Sequence, residues 1–179
     1  MSDYNRQDYL DWVKTNISLI QKAVIDSEVI LDNYEKSHDS SNTGIYRVFF
    51  GGHLMYLGES GNNMYYRVCQ HLKNYFVKET LGFTKSELLD CIENKGLKFS
   101  FTFDNDERYL SSKYRLDKEK EFVLEECPLT QYPDMSEYPK DKSNLINGKR
   151  VSRKDVPEDI CVLPKIRRKR VIELFCSQI

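Results

Sequence analysis

Four side chains able to handle a phosphate or a proton lie close together in the sequence, between residues 46 and 71. Tyr46 and Tyr56 stand in two short apolar runs, and Arg67 and His71 follow at a separation of four residues. A guanidinium group presents a planar fork of donors that suits a phosphate, and a tyrosine hydroxyl can accept or relay a proton if a nearby cation lowers its pKa from about 10. These groups suit phosphodiester hydrolysis, which needs an activated water, charge stabilisation on the phosphate and help for the leaving oxygen.

Two strands and one helix must position these four groups. The runs 45–50 and 54–57 are rich in residues that favour strands, and Gly51-Gly52-His53 between them suits a tight hairpin. The two tyrosines can then project from neighbouring strands to the same face. A helix over about 64–76 would carry Arg67 and His71 on one face, since they are one turn apart. All four groups are therefore expected to face one patch.

The flanking segments predict the remaining elements. An apolar stripe over 9–25 predicts a helix, and the run 29–31 suits either a strand or an extension of that helix. A helix is expected over 85–95, with Thr84 or Ser86 as N-cap and Gly96 after its end, followed by an alternating strand over 97–103. A long helix over 109–126 is stopped by Pro128, and residues 128–160, with four of the five prolines, are expected to run over the surface.

Residues 44–71 read GIYRVFFGGHLMYLGESGNNMYYRVCQH, a pattern that resembles the GIY-YIG nuclease family. The similar elements are the GIY strand, a hairpin of the expected length, YLG in place of YIG, a Ser/Asn loop, and a helix bearing Arg and then His. Each tripeptide alone is a weak signal, but five elements in order at family-like spacing form a strong one. The resemblance is close over residues 44–71 and looser as far as the neighbourhood of Gln131.

The resemblance implies both a fold and an activity. The expected fold class is α/β (α+β), a small three-stranded antiparallel sheet flanked by helices in a single globular domain. Residues 1–40 would form an N-terminal helical extension, 41–133 the nuclease core and 134–179 a C-terminal basic extension. The expected activity is DNA cleavage with Mg²⁺ or Mn²⁺. Tyr46 would position or deprotonate the water, Tyr56 and His71 would orient groups around the phosphate, and Arg67 would bind it.

A metal-binding glutamate is also implied by the resemblance. The family places it on a helix after the third strand, followed by Leu, an apolar turn, a Pro and often an Asn. Aligning Leu124 with the family leucine makes Glu121 the ligand and puts Gln131 in the place of the usual Asn. The other candidates on this helix are, in order, Glu125 and Glu119.

Charge is distributed unevenly along the chain. The net charge is −1, but residues 140–170 contain eleven Lys or Arg and four acids, which leaves about −8 on the remainder. Such clustering is compatible with a polyanionic partner, so DNA binding should weaken steeply with salt, and a chain truncated before Lys165 should show a shallower salt dependence. The expected phosphate contacts are Lys149, Arg150, Arg167, Arg168 and Arg170.

Composition indicates the broad class of protein. No apolar run approaches the roughly 18–20 residues of a membrane span, the first residues lack the layout of a secretory signal, and five cysteines occur without a CxxC pair. A cytoplasmic protein with reduced thiols and no membrane partner is expected.

Several kinds of nuclease agree with these features. About 40 residues before the nuclease core and 45 after it leave little chain for a separate targeting domain, which favours a restriction-like or phage-type endonuclease. Cutting both strands at a palindrome would favour a homodimer. The alternatives are a catalytically inactive DNA-binding or regulatory protein with this fold, and a structure-selective DNA repair nuclease.

Overall fold

A three-stranded antiparallel sheet lies at the centre of the protein. The computed structural model describes residues 3–36, 42–126, 128–131, 143–146 and 149–152. Strand β1 (Gly44–Phe50) is the middle strand, with β2 (His53–Ser60) on one side and β3 (Phe99–Asp104) on the other. Both pairings are antiparallel, so the predicted sheet is confirmed.

The hairpin between β1 and β2 has a two-residue turn and a bulge. Phe50 pairs with His53, and the turn residues Gly51 and Gly52 have φ angles of 56° and 82°. Positive φ at both central residues is the requirement of the type I′ turn, which matches the twist of a hairpin. The register then shifts between Val48 and Phe49, which leaves Met55 as an extra residue on β2.

This bulge decides which face of the sheet Tyr56 occupies. Opposed residues in an antiparallel pair point to the same face, and successive residues along a strand alternate. A regular register from the turn would place Tyr56 opposite Arg47, whereas the bulge places it opposite Val48. Tyr46 and Val48 share a face, so the extra residue brings both tyrosines to the same side.

Six α-helices surround the sheet in the described part of the chain. They are α1 (Asp3–Thr15), α2 (Ile17–Ala23), α3 (Ser27–Asn33), α4 (Met64–Val77), α5 (Lys85–Glu93) and α6 (Ser112–Glu126). Helix α5 begins with a capping box in which the Thr84 hydroxyl accepts from Glu87 N–H and the Glu87 carboxylate accepts from Thr84 N–H. The predicted helices over 64–76 and 85–95 are therefore confirmed to within a few residues.

The predicted helix over 9–25 is divided in the structure. Asn16 leaves helical geometry and its amide donates to the Trp12 carbonyl, which ends α1, and Asp26 adopts a left-handed conformation before α3. Val24 forms an isolated bridge to Phe99. The apolar stripe continues across the break because α1 and α2 pack against the same core, so periodicity alone did not reveal it. The run 29–31 belongs to helix α3 and not to a strand.

Two other segments also differ from the sequence predictions. The helix over 109–126 is divided at Ser111 into a short 3₁₀ helix, Glu107–Leu110, and α6. Within the stretch expected to be irregular, β4 (Ser143–Ile146) pairs with β5 (Lys149–Ser152). The intervening dipeptide is Asn-Gly, one of the strongest hairpin signals in a sequence.

Each face of the sheet has its own apolar core. Tyr46, Val48 and Phe50 belong to the larger core, with buried residues from α1 to α5. On the opposite face Ile45 and Leu57 form a smaller core with Tyr109 and Val123. None of the helices in the described ranges is both long and apolar enough to cross a membrane.

Candidate active site

Tyr46, Tyr56 and His71 are in mutual contact on one face of the sheet. The Tyr46 hydroxyl lies 3.0 Å from His71 Nε2. The two tyrosine rings are nearly parallel, with centroids 6.1 Å apart and planes at 26°, and the His71 ring is 4.2 Å from that of Tyr56. Three of the four groups predicted to face one patch therefore touch one another directly.

The start of α4 fixes the direction in which its functional residues point. Asn63 is buried at the N-cap, where its side-chain oxygen accepts two N–H groups of the first turn. Its amide nitrogen donates to the carbonyls of Asn33 and Lys36, at the end of α3. Because one side chain binds both segments, the helix carrying Arg67 and His71 starts at a defined angle.

Arg67 supplies the positive charge of the site. Its guanidinium is half-buried and donates to Gln70 Oε1 at 2.8 Å. Burial lowers the pKa of Arg67, but the neighbouring Tyr46, Tyr56 and Glu59 outweigh burial and raise it. The residue is therefore a permanent cation, and its charge lowers the pKa of His71 and opposes the rise in the pKa of both tyrosines.

The tyrosines are protonated and His71 is neutral near pH 7. Burial, and secondly Tyr56, raise the pKa of Tyr46 well above its usual value. Burial, and secondly the charge of Glu119, raise the pKa of Tyr56. Burial and then Arg67 lower the pKa of His71 to about 3. A neutral imidazole has one ring nitrogen available as an acceptor, so the Tyr46 hydroxyl can donate to Nε2 in one tautomer.

Gly58, the glycine of the YLG tripeptide, makes room for the two tyrosines. A Cβ atom at this position would lie 2.6 Å from the Tyr46 hydroxyl oxygen and 2.8 Å from a ring carbon of Tyr56. Gly58 also pairs directly with Tyr46 across the two strands. Only a residue without a side chain lets both rings lie over this part of β2.

The three candidate glutamates on α6 have different environments. Glu119 is half-buried, and its charge is the second cause of the raised pKa of Tyr56. Glu121, the first candidate from the sequence, has a side chain 46% exposed and paired with Lys118 at 2.7 Å. Glu125 is exposed. Among the three candidates, Glu119 is therefore the one whose charge raises the pKa of a tyrosine in the cluster.

The orientation of α6 accounts for the partial burial of Glu119 and the exposure of Glu121. Arg115 is buried and donates to Glu59 on β2 at 2.8 Å, and Val123 lies in the smaller core. Glu119 is four residues from each of them and therefore lies on the face that packs against the sheet. Glu121 is two residues further on, about 200° around the helix axis.

Gln131 closes the free edge of β2 beside Tyr56. Its amide group accepts the Leu57 N–H at 2.6 Å and donates to the Leu57 carbonyl at 2.5 Å. The preceding N–H groups of Leu129 and Thr130 donate to the carbonyls of Leu54 and Met55. Gln131, which stands where the resemblance expects Asn, thus holds the backbone of Leu57, the residue between Tyr56 and Gly58.

Tyr75 is a neighbour of the site that the sequence reasoning missed. It lies one helical turn after His71, with ring centroids 5.8 Å apart, and burial, followed by the influence of Tyr56, raises its pKa. Its buried hydroxyl has no hydrogen-bond partner within the described part of the chain. The spacing of four residues from His71 was the available signal.

The predicted metal ligands lie on helix α6, whereas the side chains of the five predicted DNA contacts lie outside the described part of the structure. In the described residues, no group of three or more His, Cys, Asp or Glu is arranged to hold a metal ion. Lys149 and Arg150 lie on β5, where only the backbone is described. The other three predicted contacts, Arg167, Arg168 and Arg170, lie outside the described residues.

No protein-family model and no curated protein matches this chain, and no solved structure does. Membership of the GIY-YIG nucleases therefore stays a prediction that rests on the motif residues and their arrangement.

Proposed function

We propose that this protein is a metal-dependent endonuclease that hydrolyses DNA phosphodiester bonds, of a restriction-like or phage-type kind. The observation that carries the proposal is the contact of Tyr46, Tyr56 and His71 beside the permanent cation Arg67. Side chains from two strands and one helix converge there, and the GIY-YIG resemblance selects the same four residues. A chance match in sequence would not require them to meet in space.

Each residue has a role that follows from its charge state. Arg67 binds a phosphate oxygen pair through its planar fork and offsets the charge that develops on the phosphate. Tyr46 orients the attacking water, and its own proton is directed at neutral His71. A bound phosphate would offset the charge of Arg67 and so raise the pKa of His71, which makes the imidazole a better proton acceptor. Tyr56 borders the same space from β2.

The residues present fit a single hard cation such as Mg²⁺ or Mn²⁺. Mg²⁺ usually keeps several waters and binds through one or two carboxylates plus substrate phosphate, so one protein carboxylate suffices. When bound, the ion would supply Lewis-acid polarisation of the phosphate. We propose Glu119 as the first-choice ligand, because it is half-buried and its charge reaches Tyr56, whereas Glu121 is exposed.

Nicking of a supercoiled plasmid, with Mg²⁺ or with EDTA, tests the proposal. The parent should convert the plasmid only with the metal, and Arg67→Ala should slow cleavage by about 10²–10³-fold, the range for loss of one charge-stabilising donor. The cleavage rate of Glu119→Gln should fall to the rate that the parent shows in EDTA. Glu121→Gln is the matched control, since it removes the same charge from the same helix, and it should cleave at the parental rate.

Contrary outcomes have distinct meanings. Cleavage lost in Glu121→Gln and kept in Glu119→Gln would support the ligand predicted from the motif and overturn Glu119. Duplex binding without any metal-dependent nicking would leave a DNA-binding protein with this fold. A strong preference for branched or flap DNA over plain duplex would indicate a repair nuclease.

Partners follow from the same proposal. The basic residues Lys149, Arg150, Arg167, Arg168 and Arg170 are proposed as phosphate contacts. One site of this kind cuts one strand, so symmetric cutting of both strands would require two copies of the chain related by a two-fold axis.

A further inference from the structure

A second arginine lies beside the site on the N-terminal helix, outside the motif. The Arg6 guanidinium is 5.1 Å from the centroid of the Tyr66 ring. Tyr66 in turn hydrogen-bonds to Gln70, and the same Gln70 accepts from Arg67 at 2.8 Å. Arg6 and Arg67 are thus connected through two polar side chains of α4.

The contact between α1 and α4 holds this arginine in place. Lys73, buried on α4, pairs with the Asp8 carboxylate and lies 4.8 Å from the centre of the Tyr9 ring. Tyr9 also packs edge-on against Tyr66, with centroids 6.3 Å apart. These contacts lie within one turn of Arg6, so its backbone position is fixed by the packing of its own helix.

Arg6 is available to an anion. Among the described side chains, no carboxylate forms an ion pair with Arg6, whereas Lys14, two turns further along α1, is paired with Glu35. An arginine whose face rests on an aromatic ring keeps its edge donors for a phosphate. Arg6 and Arg67 therefore place two positive charges along α4, with the neutral side chains of Tyr66 and Gln70 between them.

We infer that Arg6 binds a second phosphate of the DNA strand whose scissile phosphate is bound by Arg67. This inference rests on the proposed nuclease function and adds a substrate-positioning role for the N-terminal helix. DNA carries a phosphate charge at regular short intervals along each strand, so two arginines on one surface match its backbone better than an isolated anion. Arg6 would strengthen binding and set the direction of the strand across the site, without taking part in the reaction.

Binding measured in EDTA separates this role from cleavage. Fluorescence anisotropy with a 20-base-pair labelled duplex gives the affinity at several salt concentrations for the parent, Arg6→Gln and Lys14→Gln. Each phosphate contact contributes about 0.9 to the slope of log K against log salt. Arg6→Gln should reduce this slope by about one unit, while Lys14→Gln, with the same charge change on the same helix, should keep the parental slope.

Cleavage kinetics provide the second readout. Arg6→Gln should raise KM and leave kcat unchanged, as expected when binding is lost equally from substrate and transition state. An unchanged slope in Arg6→Gln, or an equal reduction in both variants, would overturn the inference even if the parent cleaves DNA. If the slope differs between Arg6→Gln and Lys14→Gln but the parent does not cleave DNA, the role of Arg6 in binding is supported and the nuclease function is rejected. No binding by the parent would overturn both.

Discussion

His71 is held in its neutral form by the surroundings that also bring it against Tyr46. Its ring lies between Tyr46, Tyr56 and Tyr75, with Arg67 one turn before it on the same helix. An additional positive charge there would be poorly solvated and repelled by the arginine. The low pKa is therefore a direct result of placing an imidazole inside an aromatic cluster next to a guanidinium.

This pKa makes the stability of the protein depend on pH. The unfolded chain binds a proton on His71 near pH 6.5, whereas the folded protein does so only near pH 3, so stability falls as the pH drops from about 6.5 toward 3. The loss from this residue at pH 5 is up to ~2 kcal/mol. Urea unfolding at pH 7 and pH 5 should show a smaller decrease for His71→Gln than for the parent. Equal decreases would show that His71 is not the group responsible.

The residues of the cluster were more predictable from the sequence than the directions in which the α6 side chains point. Tyr46, Tyr56, Arg67 and His71 could be selected from type and spacing, because the hairpin and one helical turn are local structures. The choice between Glu119 and Glu121 depends instead on which face of α6 packs on the sheet. Arg115 and Val123, four residues before and after Glu119, mark that face, but their burial depends on tertiary packing that motif alignment ignores.

At the scale of the element, α4 depends on a single polar side chain. Asn63 caps the helix and also binds two carbonyls at the end of α3, although it is fully buried. A buried amide with every donor and acceptor paired gives a precise link between two helices. The N-cap of α5, Thr84, is by contrast exposed and binds only within its own capping box.

Substitution of these two caps should therefore have unequal effects. Thr84→Ala should lower the free energy of unfolding by about 1 kcal/mol, the usual value of an N-cap. Asn63→Ala should cost roughly 2–4 kcal/mol, because it also leaves two carbonyls without their donor. Asn63→Asp, which keeps the cap acceptor but turns a buried carboxylate oxygen toward the two carbonyls, should cost at least as much as Asn63→Ala. Urea unfolding measures all three, and a similar cost for Asn63→Ala and Thr84→Ala would contradict this account.

Elements with strong local signals were predictable, and their interruptions were not. The glycine turn, the capping residue and the alternating strand led to β1, β2, α5 and β3. The break at Asn16 was hidden because the apolar stripe serves one core on both sides of it. The Asn-Gly dipeptide of the β4–β5 pair is a local signal for a hairpin, but the prolines around it favour irregular structure.

Across the whole molecule, many positive charges of the core are already paired with acids. Arg47 binds Asp104 and Glu126, Arg115 binds Glu59, and Lys73 binds Asp8. Such cations have little free charge to offer a polyanion. The basic C-terminal segment and Arg6 of α1, which forms no ion pair with a described carboxylate, are therefore expected to contribute most of the salt-dependent attraction to DNA.

Truncation of the C-terminal segment should test this division of roles. A chain ending at Pro164 loses five basic residues and one acid, and its slope of log K against log salt should be shallower by up to ~4 units. A chain ending at Glu173 keeps those charges and should retain the parental slope. Anisotropy with the labelled duplex in EDTA gives both slopes. If the shorter chain keeps the parental slope, the DNA contacts lie elsewhere in the protein.

The bulge at Met55 also determines which changes of length the hairpin can accept. One residue added or removed in the paired positions between Tyr46 and Tyr56 would return Tyr56 to the face of Arg47 and Leu57, away from His71. A change of two residues would preserve its face, because side chains alternate with a period of two. The two tyrosines therefore restrict the length of the hairpin. An insertion or deletion of an even number of residues conserves the site, whereas an odd number requires a compensating bulge.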